Sequence, residues 1–312
     1  MRVVVVGSVN IDLVATAPTL PRPGETVLGD TFTQVPGGKG ANQAISACRA
    51  GAQVTLIAAI GSDGYGVTLR ARLTSSTVDT SLLRVVYGTS GVALIVVDAA
   101  GENAIVVAPG ANAALTSLSE ADLAAIEAAD VLLLQLEIPV GTVAAAAVAA
   151  RKAGVRVLLN AAPAGILPAE LEEAVDLLVV NQVEGAALAG VRPVGVDAVP
   201  DPADFDPWSL VEALVERFPR VVLTRGAAGA WYGSRGADPV HVPAPVVEAV
   251  DSTAAGDAFT AALAVGWGEG REIIDAVRWA SAAGAAAARR LGASSALPAR
   301  TDIDELYSST YT

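Results

Sequence analysis

The chain has 312 residues, enough to bury a large core. It carries 33 acidic against 20 basic residues for a net charge of −13, which argues against nucleic-acid binding because that role needs a basic footprint. A single cysteine, Cys48, excludes an intramolecular disulfide and a cysteine-cluster metal site, and no apolar run reaches membrane-spanning length, so a cytoplasmic protein with no membrane partner is expected.

Short β-branched runs alternate with Ala-rich helical stretches along the chain. Strands are predicted over residues 3–6, 54–60, 131–136, 155–159, 177–180 and 221–223, each a continuous apolar segment of the kind found in buried parallel sheets. The expected fold is α/β, a doubly wound, mostly parallel sheet with helices on both faces, and such sheets bind ligands at the carboxyl ends of their strands. Polar candidates fall there in order: Asn10 and Asp12 after the first strand, Glu137 after the third, Asn181 after the fifth and Thr224 after the sixth. Two segments break the alternation. Residues 13–36 have no helical period, and residues 91–108 read as two strands joined by residues 98–103, so both are expected to be β structure inserted between α/β units. Residues 191–208, with four prolines and four aspartates, read as a surface loop without assignable chemistry. One unit spanning residues 1–312 accommodates all of this.

Residues 251–259, Asp-Ser-Thr-Ala-Ala-Gly-Asp-Ala-Phe, place a carboxylate beside backbone amides. Small residues at Ala254, Ala255 and Gly256 leave the backbone uncovered, and the helix-prone run after them puts those amides at a helix N-terminus, which attracts phosphate. Asp257 then lies in the first helical turn, placed to take a proton from a hydroxyl while the amides neutralise charge on a transferred phosphoryl group. The alternative is a plain capped helix, with Asp251 or Ser252 as the cap. Residues 37–44, Gly-Gly-Lys-Gly-Ala-Asn-Gln-Ala, repeat the combination of glycine turn and helix start. They present Lys39, Asn42 and Gln43 at the mouth of a small-residue helix, which suits a polyhydroxylated ligand; a tight turn is the alternative, and the spacing of a P-loop is missing. Asn10 and Asp12 share one face at strand spacing, or form an Asx turn. Asn181 and Glu184 share a helical face or form a helix cap. His241 is expected to be structural, and Cys48 to pack in the core.

The two signatures at 37–44 and 251–259, with Gly7-Ser-Val-Asn-Ile-Asp12, residues 110–115, Leu136-Glu137-Ile138-Pro139, residues 181–184 and residues 224–229, resemble those of the ribokinase family of sugar kinases, also called the PfkB family. The resemblance implies an ATP-dependent kinase acting at the 5-hydroxyl of D-ribose. It assigns Asp257 as base with the amides of Ala254, Ala255 and Gly256 around the phosphoryl group, and Asn10, Asp12, Gly38, Lys39, Asn42 and Glu137 as sugar ligands. It assigns Asn181 and Glu184 to magnesium and the ATP phosphates, mainly through water, and Thr224, Gly226, Gly229, Gly256 and Ser281 to the nucleotide. A potassium site is implied at Asp251 and Thr253, completed by backbone groups at Ala287, Arg290, Gly292 and Ala296; the family commonly carries serine at the last of these. The resemblance also makes the two β insertions a lid that often pairs with another subunit, giving a homodimer. Lys39 and Glu137 at the anomeric end favour a free sugar over a nucleoside. Other readings are a kinase of the same family for another sugar or a nucleoside, a non-catalytic sugar-binding protein, and a dinucleotide-dependent oxidoreductase, which lacks its GxGxxG turn.

Overall fold

The computed structural model describes residues 1–191 and 205–312. The first half of the chain runs β1 (Arg2–Val6), β2 (Asn10–Thr16), β3 (Thr31–Gly37), α1 (Lys39–Arg49), β4 (Gln53–Gly61), α2 (Gly64–Ser75), β5 (Leu83–Val86), β6 (Gly91–Val97) and β7 (Asn103–Ala108). A short 3-10 turn, Gly110–Ala114, leads to α3 (Glu120–Glu127), β8 (Val131–Leu134), α4 (Val140–Lys152), β9 (Arg156–Asn160), α5 (Ala169–Ala174), β10 (Leu177–Asn181) and α6 (Gln182–Leu188). After the segment outside the described residues come α7 (Pro207–Val215), β11 (Arg220–Thr224), β12 (Ala230–Ser234), β13 (Ala237–Val242), α8 (Ala255–Gly268), α9 (Ile273–Ala288) and α10 (Arg300–Tyr311).

Nine strands form one sheet in the order β13-β12-β11-β10-β9-β8-β1-β4-β5. Its pairs are parallel from β5 to β11 and antiparallel at the β11–β12–β13 edge. Both faces are covered, which is why the strand sequences are apolar without alternation. Val3 and Val5 of β1 enter one core cluster with α1, α2, α8, α9 and α10, whereas Val4 and Val6 enter the other with α3 to α7. Alanine dominates the inward positions of α4, α8 and α9; it favours helix and lets helices pack close to the sheet. All six strands expected in this sheet are present, together with β5, β12 and β13, which short length and intervening polar residues hid from the sequence pattern.

The four remaining strands make a separate sheet, β3-β2-β6-β7. Strand β2 pairs antiparallel with β3 and parallel with β6, and β6 pairs antiparallel with β7. The insertions at 13–36 and 91–108 thus supply one small sheet, although residues 17–30 lie outside its strands. Asn10 and Asp12 occupy the first and third positions of β2, so the Asx-turn alternative is set aside: pairing with β3 on one side and β6 on the other fixes an extended backbone. Residues 207 and 208 of the expected surface loop belong instead to α7, capped by Asp206 through the amide of Ser209; residues 192–204 lie outside the described residues.

Candidate active site

The turns after β1, β8, β9 and β10 and the N-termini of α1 and α8 converge at the carboxyl edge of the large sheet. Helix α1 starts tight against the turn after β1. A Cβ on Gly40 would lie 2.5 Å from the Ser8 amide nitrogen, and one on Gly38, whose φ is 90°, would lie 2.7 Å from that of Asn10. Only glycine permits that approach and that dihedral. The Ser8 hydroxyl then donates to Oε2 of Glu137 at 2.5 Å, and the Lys39 amide donates to the same oxygen at 3.2 Å. Lys39 and Glu137 are therefore neighbours through the Lys39 backbone.

Asn42 and Gln43 are buried rather than set at a mouth, because α1 packs its first two turns into the sheet edge. Both reach α8. Asn42 Nδ2 donates to Oδ2 of Asp257 at 3.0 Å, and Gln43 Nε2 donates to Oδ1 at 2.9 Å. Asn10 is held by Asn112, whose Nδ2 donates to the Asn10 side-chain oxygen at 2.7 Å and whose own oxygen accepts from the Val9 amide at 2.9 Å. Asn112, Gln135, Asn160 and Ser8 carry no ligand assignment in the sequence reading. Their signals were in view for Asn112 and Ser8, which lie inside the quoted motifs, but Gln135 and Asn160 end apolar strands with nothing to distinguish them.

The electrostatics follow from crowding four carboxylates around one ammonium. Burial pushes the Asp12 carboxyl up to about 7, reinforced by Glu137 and Asp257 and opposed by Lys39. Burial likewise raises Asp257, against the pull of Lys39, Gln43 and Asn42. Burial pulls the Lys39 ammonium down, but Asp257, Glu137, Glu184 and Asp12 outweigh it and hold it above its ordinary value.

Helix α8 begins at Ala254, which takes the left-handed backbone with φ 60° and supplies no side-chain cap. Asp251 and Ser252 are thus not the cap. Asp251 accepts instead from the amides of Thr253 at 2.9 Å and Gly292 at 2.8 Å. The Ala255 amide is taken by the carbonyl of Ser252 at 3.1 Å, while Gly256 is exposed in the first turn, where helical amides lack intrahelical partners. Beside this terminus a cleft of about 420 Å³ is lined by Thr224, Gly226, Gly229, Ala255, Gly256 and Ser281, among others. Three separated segments of the sequence thus meet on one surface. The floor is made of small and apolar side chains, and the Ser281 hydroxyl is turned back onto the Val277 carbonyl at 2.9 Å. His241 stacks on Trp231 with ring centroids 4.1 Å apart and bonds the Ala228 carbonyl at 2.7 Å, bracing the glycine turn in the structural role expected of it.

Asn181 and Glu184 form a capping box at the start of α6. The Glu184 amide donates to the Asn181 side chain at 2.8 Å, and the Asn181 amide donates to Oε2 of Glu184 at 2.9 Å. The capping alternative is therefore correct, and it leaves Oε1 of Glu184 available; burial raises this carboxyl, against the Asn181 amide and Lys39. Among the described residues no three acidic, histidine or cysteine side chains form a cluster that would hold a metal ion. In the implied potassium region, Asp251, Thr253 and Gly292 are brought together, and the Ala287 carbonyl accepts from the Arg290 amide at 3.2 Å. Ala287 and Ala296 are buried beside that loop with no polar side-chain atom to offer.

Residues 1–300 match the profile described as pfkB family carbohydrate kinase. The chain belongs to that family. Curated relatives of this pfkB-family kinase include a ribokinase of Bacillus subtilis, 38% identical over 309 residues with 98% of this chain and 99% of that protein covered. A ribokinase of Haemophilus influenzae is 36% identical, with 96% of each chain covered. Among solved structures, ribokinase from Thermotoga maritima superposes with a TM-score of 0.84 at 32% identity, covering 98% of this chain and 99% of that one. The Arabidopsis thaliana ribokinase complexed with ribose and ATP gives 0.87 at 29% identity, covering 100% of this chain and 99% of that one. The doubly wound sheet and separate small sheet are those of this family.

Proposed function

We propose that this protein phosphorylates the 5-hydroxyl of D-ribose with ATP, giving ribose 5-phosphate and ADP. The observation that carries the reading is the position of Asp257. It is the joint between two sites: its carboxylate is held by Asn42 and Gln43 within the polar cluster, and its backbone belongs to the α8 N-terminus that borders the cleft. Relatives spanning nearly the whole chain carry the name ribokinase, and one of their structures holds ribose and ATP.

In this reading Asn10, Asp12, Gly38, Lys39, Asn42 and Glu137 hold the sugar hydroxyls. Asp257 accepts the proton of the attacking hydroxyl, and the uncovered amides of the first turn of α8 stabilise charge on the transferred group. The cleft with Thr224, Gly226, Gly229, Gly256 and Ser281 takes the nucleotide, which its small-residue lining and the open positions at Gly226 and Gly256 fit. Glu184, with one oxygen left over from its capping box, fits a water-mediated role near magnesium, which keeps much of its water shell; when bound, magnesium neutralises the nucleotide phosphates. Asp251 offers a carboxylate to a monovalent cation, with the remaining ligands drawn from main-chain carbonyls of the 287–296 region. Residues 1–312 act as one unit, with the small sheet as lid over the sugar. The lid sheet also pairs two subunits: register and two-residue alternation place Leu13, Phe32, Leu94 and Val106 on the face away from Asp12, and Phe32, Leu94 and Val106 are exposed.

The test is ADP release from MgATP with D-ribose, set beside adenosine, fructose and 2-deoxyribose, with and without potassium. Preference for ribose supports the reading. Activity confined to another acceptor keeps the chemistry and overturns the substrate, and sugar binding with no ADP release overturns the kinase.

A further inference from the structure

Gln43 follows Asn42 on α1 and is fully buried. Its amide is the centre of a chain of side-chain amides beneath the polar cluster. Nε2 donates both to Oδ1 of Asp257 and to Oδ1 of Asn160, each at 2.9 Å, which uses both of its hydrogens. Oε1 accepts from Nε2 of Gln135 at 2.6 Å. One backbone group fixes the direction of the chain. Asn160 Nδ2 donates to the Val179 carbonyl in β10 at 3.2 Å, and a carbonyl only accepts. Asn160 must therefore turn its oxygen toward Gln43, and Gln43 must turn its NH2 toward Asp257. The chain ends at Gln135, whose Oε1 is buried without a partner. That unmade bond is the cost of keeping Gln135 oriented as a donor.

We propose that Gln43 is a positioning residue for Asp257, clamping with Asn42 both oxygens of the carboxylate and favouring its ionised form through the Val179–Asn160–Gln43 chain. This rests on the kinase reading, in which Asp257 must be ionised to accept a proton. The other charged groups that bear on Asp257 are Lys39 from α1, Glu137 beyond β8, Asp12 from β2 and Glu184 from α6. Lys39 is their one cation, so the two amides supply the remaining support for the anion. Asn42 is also assigned to the sugar. Gln43 has no exposed surface with which to reach it, and so its effect is separable from binding.

Gln43→Met keeps the length and removes the donors. The expected result is a KM for ribose within about twofold of wild type and the acidic limb of the kcat profile moved up by about one pH unit, so that kcat on that limb falls about tenfold. Gln43→Glu sets a second carboxyl against Asp257 and moves the limb further in the same direction. A residue that only fills space would change the melting temperature and leave the limb in place, which overturns the proposal. Carbon NMR titration of the Asp257 carboxyl in the sugar-free protein, assigned by its loss in Asp257→Asn, reads the same upward shift without turnover. A wild type inactive on ribose would therefore sink the substrate reading while this titration still decides the role of Gln43. Gln135→Met, which frees Gln43 Oε1, provides a second variant should the first not fold; a smaller upward shift supports the proposal, and an unmoved titration overturns it.

Discussion

Asn42 and Asp257 lie 215 positions apart in the chain and meet through a hydrogen bond of 3.0 Å. That contact joins the first helix of the fold to the helix that borders the cleft, so in the proposed mechanism the group that holds the acceptor sugar also holds the group that deprotonates it. Phosphoryl transfer depends chiefly on positioning and electrostatics, and a bond between the two helices serves both.

Replacing Asp257 by Asn removes the proposed base while keeping a side chain of the same shape between Asn42 and Gln43. Ribose binding measured by calorimetry should change little, and turnover should fall by about a hundredfold or more. Turnover near that of wild type would remove Asp257 from the mechanism.

Gly256 is exposed at the cleft, and a Cβ built on it meets nothing within 4 Å. Gly256→Val should therefore shift the melting temperature by only a few degrees, because its Cβ meets no protein atom. Its side chain would project where the phosphates are proposed to sit, and kcat/KM for ATP should fall at least about tenfold. An unaffected kcat/KM would place the nucleotide elsewhere.

Asp12 gives the free protein a pH dependence of known sign. Its carboxyl titrates near 7 in the fold against 3.8 as a free side chain, so between those values the folded protein keeps a proton that the unfolded chain has lost. Stability from this group is full below about pH 4 and is lost as pH rises through 7. Asp12→Asn should flatten the fall in melting temperature between pH 5 and pH 8, and raise the KM for ribose by about tenfold or more. A variant that keeps the wild-type fall would show that Asp12 is not the titrating group.

On the lid sheet, Leu94 and Val106 are direct cross-strand neighbours and both are exposed. A charge at either site is compatible with the isolated fold and incompatible with an apolar interface. Leu94→Lys and Val106→Lys should each convert the proposed dimer to monomer in sedimentation measurements. A wild type that sediments as a monomer would remove the proposed pairing.

The large sheet, and the strand ends at which the proposed site residues lie, were legible in the sequence. Runs such as Val3 to Val6 and Leu177 to Val180 are apolar on successive residues, a pattern satisfied only where both faces of a strand are buried. The glycines at 38 and 40 announced where backbone is approached closely. What the tertiary structure alone decided is how the polar residues are used. Asn181 and Glu184 proved to cap a helix, Ala254 rather than Asp251 begins α8, and Gln43, Gln135 and Asn160 joined into a chain that ends on Asp257. Hydrophobic burial is written locally, in each segment's own period. A hydrogen-bond partner, by contrast, depends on which strand ends the topology brings together, and no local pattern records that.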